Sequence, residues 1–326
     1  MATYLVTGGA GFIGSHVVEE LVSRGEQVRV VDSLVTGRRD NLAHVPGVDL
    51  LVGDLADSAV ADRATLGVDY VVHLAAIPSV PRSVADPITT NHANVTGTLS
   101  LFVAAERHAV KRVVFASSSS IYGNTTTLPK QEDMPPAPLS PYALQKLIGE
   151  QYGKLFYELH GLETVVVRYF NVFGPRQDPT SPYSGVISLF ARCLAEHRQP
   201  TIYGDGEQTR DFTYVRNVVD GTLRACTAQR AVGRVINVSC GDRISLNALY
   251  RMMREQAGSD LEPRFTDPRI GDVRDSQADI TRARELLGYE PLVSLEEGLR
   301  LTKAWFETQA SEAPPRSPGV SHSPAT

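Results

Sequence analysis

The sequence predicts an α/β protein built on a doubly wound parallel sheet, with a smaller C-terminal part that faces a ligand. Two observations carry this reading. Short β-branched runs alternate with amphipathic helical stretches through the first half of the chain, and a glycine-rich turn joins the first run to the first helix. The strand candidates are TYLVT, QVRVVD, VDLLV, DYVVHLA, KRVVFAS and ETVVVR. The first helix candidate is FIGSHVVEELVSRG, where Phe12, Ile13, Val17, Leu21 and Val22 recur at helical spacing and Gly25 stops the run. NVTGTLSLFVAAERHAV and YALQKLIGEQYGKLFYEL read as long amphipathic helices. After about residue 170 the alternation weakens, and loops rich in Gly, Pro and Asp appear: FGPRQDPTSPYSG, YGDGEQTRD and TDPRIGDVRD. This divides the chain into a dinucleotide-binding domain over 1–170 and a mainly substrate-binding domain over 171–309, with the chain free to cross between them. Residues 310–326, rich in Pro, Ser and Ala, read as a disordered tail.

Composition narrows the function. The chain has 326 residues, 42% of them hydrophobic, and a formal net charge of −5. It is long enough for one large or two joined domains. Its mild acidity argues against a nucleic-acid or anionic-membrane partner. Three Cys (Cys193, Cys226, Cys240) without close spacing read as reduced thiols of a cytoplasmic protein. No Cys/His cluster suggests a metal. No signal-peptide pattern precedes the first strand, and no apolar run is long enough to span a membrane.

The first turn, YLVTGGAGFIGSHVV, sets Gly8, Gly11 and Gly14 between strand and helix, with Phe12 and Ile13 opening the helix. The spacing is GxxGxxG rather than GxGxxG, but the physics is shared. Glycine permits a tight turn and lets a pyrophosphate approach a helix N-terminus that favours anions. Asp32 ends the second strand, where a carboxylate accepts bonds from the adenosine ribose hydroxyls and repels a 2′-phosphate. This favours NAD over NADP on a Rossmann-like sheet. Arg38 and Arg39 weigh the other way, but they lie further along in a loop. The fifth strand candidate ends in SSSSIYG, and Tyr142 and Lys146 follow four positions apart on one helix face. Ser118 stands where an open α/β sheet binds ligands and can bond a substrate hydroxyl.

With TGGAGFIG, GDL, HLAA, SSSSIYG, YALQK, RYFNVFGPRQ, YGDGEQTRDF and PRIGDVRDSQAD, the sequence resembles the extended short-chain dehydrogenase/reductase family over about residues 3–308. Within it, the sequence is similar to the NAD-dependent UDP-hexose 4-epimerases that act on UDP-glucose or UDP-GlcNAc. The resemblance implies that Ser118, Tyr142 and Lys146 are catalytic. Lys146 would hold the nicotinamide ribose and, with the cationic nicotinamide, lower the pKa of Tyr142. Tyr142 would remove the sugar 4-OH proton while a hydride passes from C4 to NAD. The resemblance further implies that Asp54 and Leu55 meet the adenine, that Leu74, Ala75 and Ala76 line the cofactor, and that Asn94 stands near its ribose-phosphate portion. Ser119, Asn171, Val186 and Tyr203 would contact the UDP-sugar, Arg210 and Arg269 its phosphates, and Asp272 its ribose. Ser276 would form one wall of the sugar pocket, small enough for a 2-acetamido group. It also implies a homodimer through a four-helix bundle. His73 reads as a packing histidine and Tyr122 as packing and cofactor support, since it has no Lys at i+4.

Other readings share this frame. A 4,6-dehydratase has adjacent Asp and Glu where this chain has Ser119 and Ser120, and the decarboxylases have Glu at the second of these. A net reductase must exchange its cofactor. A non-catalytic NAD sensor would not need Ser118, Tyr142 and Lys146 together. A UDP-glucuronate 4-epimerase tends to carry Thr and Arg where Asn171 and Asp178 stand, although Arg82 and Arg192 offer substitute charge.

Overall fold

The computed structural model describes residues 1–178, 185–268 and 273–312, the side chains of 309–312 excepted. The first elements follow the alternation: β1 (Thr3–Thr7), α1 (Phe12–Ser23), β2 (Gln27–Asp32), β3 (Asp49–Val52), α2 (Ser58–Thr65), β4 (Tyr70–His73), α3 (Val80–Ala85), α4 (Pro87–Asn91), α5 (Gly97–Arg107), β5 (Arg112–Ser118), α6 (Pro141–His160) and β6 (Glu163–Tyr169). Then come β7 (Val172–Phe173), α7 (Val186–Ala195), β8 (Thr201–Tyr203), β9 (Thr209–Arg210), β10 (Thr213–Tyr214), α8 (Val215–Thr227), β11 (Val235–Val238), β12 (Ile244–Ser245), α9 (Leu246–Ala257), β13 (Arg264–Thr266), α10 (Thr281–Leu287) and α11 (Leu295–Glu312).

One seven-stranded sheet runs in the order β11-β6-β5-β4-β1-β2-β3, with every neighbouring pair parallel. Its strands read as apolar runs because both faces are covered. Val113 and Phe115 of β5 face one apolar cluster, with α2 and α5, while Val114 and Ala116 face another, with α1 and α8. The strand order reverses between β1 and β4. The crevice beyond their C-terminal ends is therefore the place where such sheets bind ligands.

A boundary at residue 170 does not cut the chain cleanly. β11 pairs with β6, and α8 packs on β5 and β6. Without these two returning elements, β6 would present an open edge and one bare face. The remaining short strands form two-stranded ladders: β7 with β10, β9 with β12, and β8 with β13. α7 and α9 pack beside them, with Phe190 and Tyr250 edge to face at 5.1 Å. α11 runs to Glu312, so the first residues of the segment read as a tail are helical; the rest lies outside the described residues. No helix among the described residues is long and apolar enough to cross a membrane.

α6 carries Tyr142 and Lys146, and its start is closely specified. Ser140 caps it, accepting from Ala143 N at 3.2 Å, and Pro141 opens its first turn. Ser83 Oγ of α3 accepts from Tyr142 N at 3.0 Å. Gly161 ends the helix at φ 72°. Gly149 lets it sit low on the sheet, since a Cβ there would lie 2.3 Å from Phe115 Cζ. That ring is buried and wedged between His73 and Phe102.

His73 joins β4 to its surroundings through a defined chain. Thr7 Oγ1 accepts from Leu74 N and Ala75 N, both at 3.1 Å, so its own proton goes to His73 Nδ1 at 2.7 Å. Thr98 Oγ1 donates to Asn94 O at 2.6 Å, so it accepts from His73 Nε2 at 2.9 Å. The imidazole is thus held neutral with its proton on Nε2. Burial, with the nearby Lys146 charge, lowers its pKa to about 3.

Two outcomes follow. Gly149→Ala overpacks a ring that cannot move aside, so its helix-propensity gain is outweighed and thermal melting shows a net loss of about 1–3 kcal/mol. For His73, the unfolded chain takes up a proton near its ordinary value of ~6.5, while the folded chain does not until about 3. Its contribution is therefore full above ~6.5 and is lost as pH falls, by up to ~1.4 kcal/mol per pH unit. Denaturant titrations from pH 7 to 4 should give His73→Gln a shallower loss of stability than the parent protein; equal slopes would remove His73 from the account.

Candidate active site

The turn after β1 is shaped to admit a phosphate. Gly8 has φ +67°, its N donates to Val31 O at 2.8 Å, and its O accepts from Gly11 N at 3.0 Å. A Cβ on Gly14 would lie 2.1 Å from Gly8 O, so only glycine lets α1 sit this close to the turn. α1 begins at Phe12 with no side-chain cap and no acidic residue in its first turn, leaving its N-terminal N–H groups for an anion. Across the switch point lie Leu74 and Ala75, and a Cβ on Gly8 would strike Ala75 N at 2.8 Å. Ala76 follows in the same loop.

Asp32, 7% exposed, stands at the end of β2. Its carboxylate accepts from Ala10 N at 2.9 Å and Leu34 N at 2.8 Å. Burial raises its pKa, and these two backbone donors pull it back. Two of its roughly four acceptor positions are used, which leaves room for a ribose diol. Arg38 is exposed and lies 3.5 Å from Asp40, so it does not turn back on this carboxylate. These features, the Cβ-free cradle above all, fit a dinucleotide such as NAD.

Other cofactor-side residues divide. Leu55 is buried in the sheet's core, whereas Asp54 is exposed and accepts from Ala56 N at 2.9 Å. Asn94 is buried in a single π-helical turn, His92–Thr96. It accepts from Ile77 N at 2.7 Å and donates to Ile77 O and to Gln145 Oε1. Asn94 therefore braces the loop after β4 against α6.

Ser118, Tyr142 and Lys146 come together beside this cradle. Ser118 stands beside the Tyr142 hydroxyl and acts to lower its pKa, and Ser118 Oγ accepts from Ser120 N at 3.2 Å in the turn Ser119–Tyr122. Lys146 is 5% exposed, donates to Ala116 O at 2.8 Å, and lies 5.1 Å from the centre of the Phe115 ring. One of its three N–H groups is so used. Burial lowers its pKa to about 8, opposed by the Glu150 charge. Burial pushes Tyr142 up to about 12, and Ser118 pulls it back. The lowering expected from Lys146 is therefore not reached by the protein alone, because loss of solvation outweighs the local charges. Tyr122 is buried, donates to Asn237 Oδ1 at 2.7 Å, and has no lysine one turn on.

A cavity of about 610 Å³ opens beyond the sheet and is lined by Asn171, Val186, Tyr203 and Arg210. Its size and mixed lining suit a nucleotide. Asn171 takes φ 34°, tolerable for Asn, and donates to Asp211 O at 2.9 Å. Arg210 Nη1 donates to Thr209 O at 2.9 Å and to Arg274 O at 3.1 Å, and its neighbour, buried Asp211, accepts from Cys240, Gly241 and Ala278 N at 3.0–3.3 Å and locks the loop. Ser276 does not line this cavity. It is 8% exposed, and its N donates to Thr209 O at 3.1 Å, one residue from Arg210. Arg269 and Asp272 lie outside the described residues.

Sequence reasoning missed Phe190, Cys193 and Gln208, which also line the cavity. Gln208 donates to Tyr203 O at 2.6 Å, and its Oε1 is buried without a partner among the described residues. The QTR run inside YGDGEQTRD carried the only signal for it. Among the described residues, no group of three His, Cys, Asp or Glu is placed to hold a metal.

Comparison with known proteins gives a consistent result. Residues 4–239 match the model of the NAD dependent epimerase/dehydratase family. A UDP-glucose 4-epimerase of Mycolicibacterium smegmatis is 40% identical over 311 residues, covering 94% of this chain and 99% of the relative. The solved UDP-N-acetylglucosamine 4-epimerase of Methanobrevibacter ruminantium, in complex with UDP-N-acetylmuramic acid, superposes with a TM-score of 0.91 at 40% identity, covering 94% of this chain and 99% of that one. The UDP-glucose 4-epimerase of Thermotoga maritima, solved with UDP-glucose, gives a TM-score of 0.91 at 39% identity with the same coverage. With its glycine cradle, buried Asp32 and parallel sheet, this chain belongs to the NAD dependent epimerase/dehydratase family.

Proposed function

We propose that this protein is a UDP-sugar 4-epimerase that inverts C4 through a transient 4-keto sugar. The observation that carries the reading is that Ser118 and Tyr142 stand side by side, with buried Lys146 one helical turn along from Tyr142, on a sheet that also carries a dinucleotide cradle, in a protein with a nucleotide-sized cavity. Bound NAD supplies a reversible hydride acceptor, so the reaction is redox-neutral. The Gly8–Gly14 turn, Phe12, Ile13, Asp32 and Lys146 hold it, with Leu55 and Leu74–Ala76 as its wall.

Tyr142 is the base. It takes the proton of the 4-hydroxyl as C4 is oxidised and returns it when C4 is reduced from the other face. A phenol held at about 12 is a poor base at neutral pH. It needs the positive charge of Lys146 and of the oxidised cofactor within the closed crevice. Ser118 donates to the same oxygen and orients it. Asn171 and Arg210 hold the diphosphate, with Val186 and Tyr203 along the cavity. Ser119 and Ser120 carry no carboxylate to drive a dehydration, which favours epimerisation over loss of water.

UDP-glucose and UDP-galactose are the substrates proposed first, with UDP-GlcNAc and UDP-GalNAc as a second pair, which the likeness to a UDP-N-acetylglucosamine 4-epimerase supports. UDP-glucuronate is disfavoured: Asp178 stands where a cation would be needed for the sugar carboxylate. α5 and α6 expose Val103, Leu144, Leu155 and Leu159, and Leu159 is 72% exposed. A second copy of this chain suits that face, as a four-helix bundle.

Tyr142→Phe removes the base alone, so kcat should fall ~10²–10⁴-fold while UDP affinity changes little. Near-normal kcat in the Phe variant would refute the assignment. A panel of UDP-glucose, UDP-GlcNAc and UDP-glucuronate, with products resolved by NMR, should rank UDP-glucuronate last. Turnover of UDP-glucuronate above that of UDP-glucose would reverse the substrate order.

A further inference from the structure

A buried charge network lies behind Lys146 and is not used in the chemistry above. Glu150, 3% exposed, stands one helical turn after Lys146 on α6. Arg168 of β6 grips its carboxylate with both arms of the guanidinium, Nε to Oε1 at 2.9 Å and Nη2 to Oε2 at 2.7 Å. Ser117 Oγ of β5 donates to Oε1 at 2.5 Å. Arg168 then donates to Tyr122 Oη at 2.9 Å and lies 4.8 Å from the centre of that ring. Lys146 and Glu150 thus each hold one of two successive residues of β5, Ala116 and Ser117, whose next neighbour is Ser118.

We propose that Glu150 is a positioning residue: through its bonds to Ser117 and Arg168 it fixes α6 on β5 and keeps Lys146 protonated beside Tyr142. The charge count supports this. Two buried cations, Lys146 and Arg168, flank Glu150, and its carboxylate acts on both. Burial works against both charges, yet the Glu150 bonds hold Arg168 above its ordinary value. The same carboxylate raises Lys146 against a burial that brings it to about 8. Arginine does not give up its proton, so if Glu150 loses its charge, Lys146 is the group that yields.

The groups facing Lys146 are few. β4 offers His73, held neutral. β5 offers the Ala116 carbonyl and the Phe115 ring, neither charged. β6 offers Arg168 across Glu150, and α6 itself offers Glu150 and Tyr142. Glu150 is the one carboxylate among them.

The inference rests on the reading of Lys146 as the charge that assists Tyr142, so its test separates the two. The chain has five lysines, Lys111, Lys130, Lys146, Lys154 and Lys303, so ¹³C-lysine NMR of the protein as purified can follow each one with pH. In the parent protein, Lys146 should titrate near 8, well below the surface lysines. Glu150→Gln should lower it by about one unit or more, and Arg168→Met, which frees Glu150 for Lys146, should raise it. The alkaline limb of the kcat–pH profile should move with the NMR value in each variant. An unchanged Lys146 titration in Glu150→Gln, or a downward shift in Arg168→Met, overturns the proposal. If Glu150→Gln does not fold, the other two arms decide: a parent Lys146 that titrates near ~10.5 with the surface lysines also overturns it. If the NMR shifts appear as stated but kcat does not follow, Glu150 still controls Lys146, and the catalytic reading of Lys146 is what fails.

Discussion

The close seating of α6 on β5 is the constraint on which the site depends. Gly149 permits it by leaving no Cβ against a Phe115 ring that His73 and Phe102 hold in place. The same contact sets how far Tyr142 and Lys146 stand above Ser118, because all three are carried by these two elements. Polar bonds reinforce it at the start and the middle of the helix. Ser83 and Ser140 pin its first turn, and Glu150 ties its middle to Ser117 and Arg168. A helix held this tightly can place a phenol to within the small tolerance that proton transfer demands.

The electrostatics follow from that seating. Bringing Tyr142 and Lys146 into a dry crevice moves both away from their ordinary values, the phenol upward and the ammonium downward. Both shifts oppose the ionised forms, so the protein alone rests with a weak base. In the proposed mechanism the charge of a bound dinucleotide would reverse the balance for Tyr142 and so couple base strength to cofactor binding.

Local features were legible in the sequence. Gly8, Gly11, Gly14 and Asp32 were readable because a tight turn, a helix start and a strand end leave marks at short, fixed spacings. Tyr142 and Lys146 were readable because i and i+4 share a helix face. Features made by distant parts of the chain were not. Gly149 meets Phe115, 34 positions away, and nothing near it marks that contact. Glu150 and Arg168 stand 18 positions apart on α6 and β6, and nothing near either one marks them as partners. A crossing of the chain between the two domains was allowed for, but β11 and α8 were not identified as the elements that return, since their partners lie before residue 170. Gln208 was overlooked inside a loop whose arginine drew the attention, and Ser276 was assigned to a wall on which the described cavity does not place it.

The central claim is that hydrogen leaves C4 as hydride and returns to the same carbon, with Tyr142 handling only the hydroxyl proton. Turnover of UDP-glucose in D₂O without added cofactor tests it most directly. Proton NMR should show UDP-galactose that retains protium at C4, with no net absorbance of reduced nicotinamide accumulating. Deuterium at C4 of the product, or turnover that requires stoichiometric added NAD, would contradict the account.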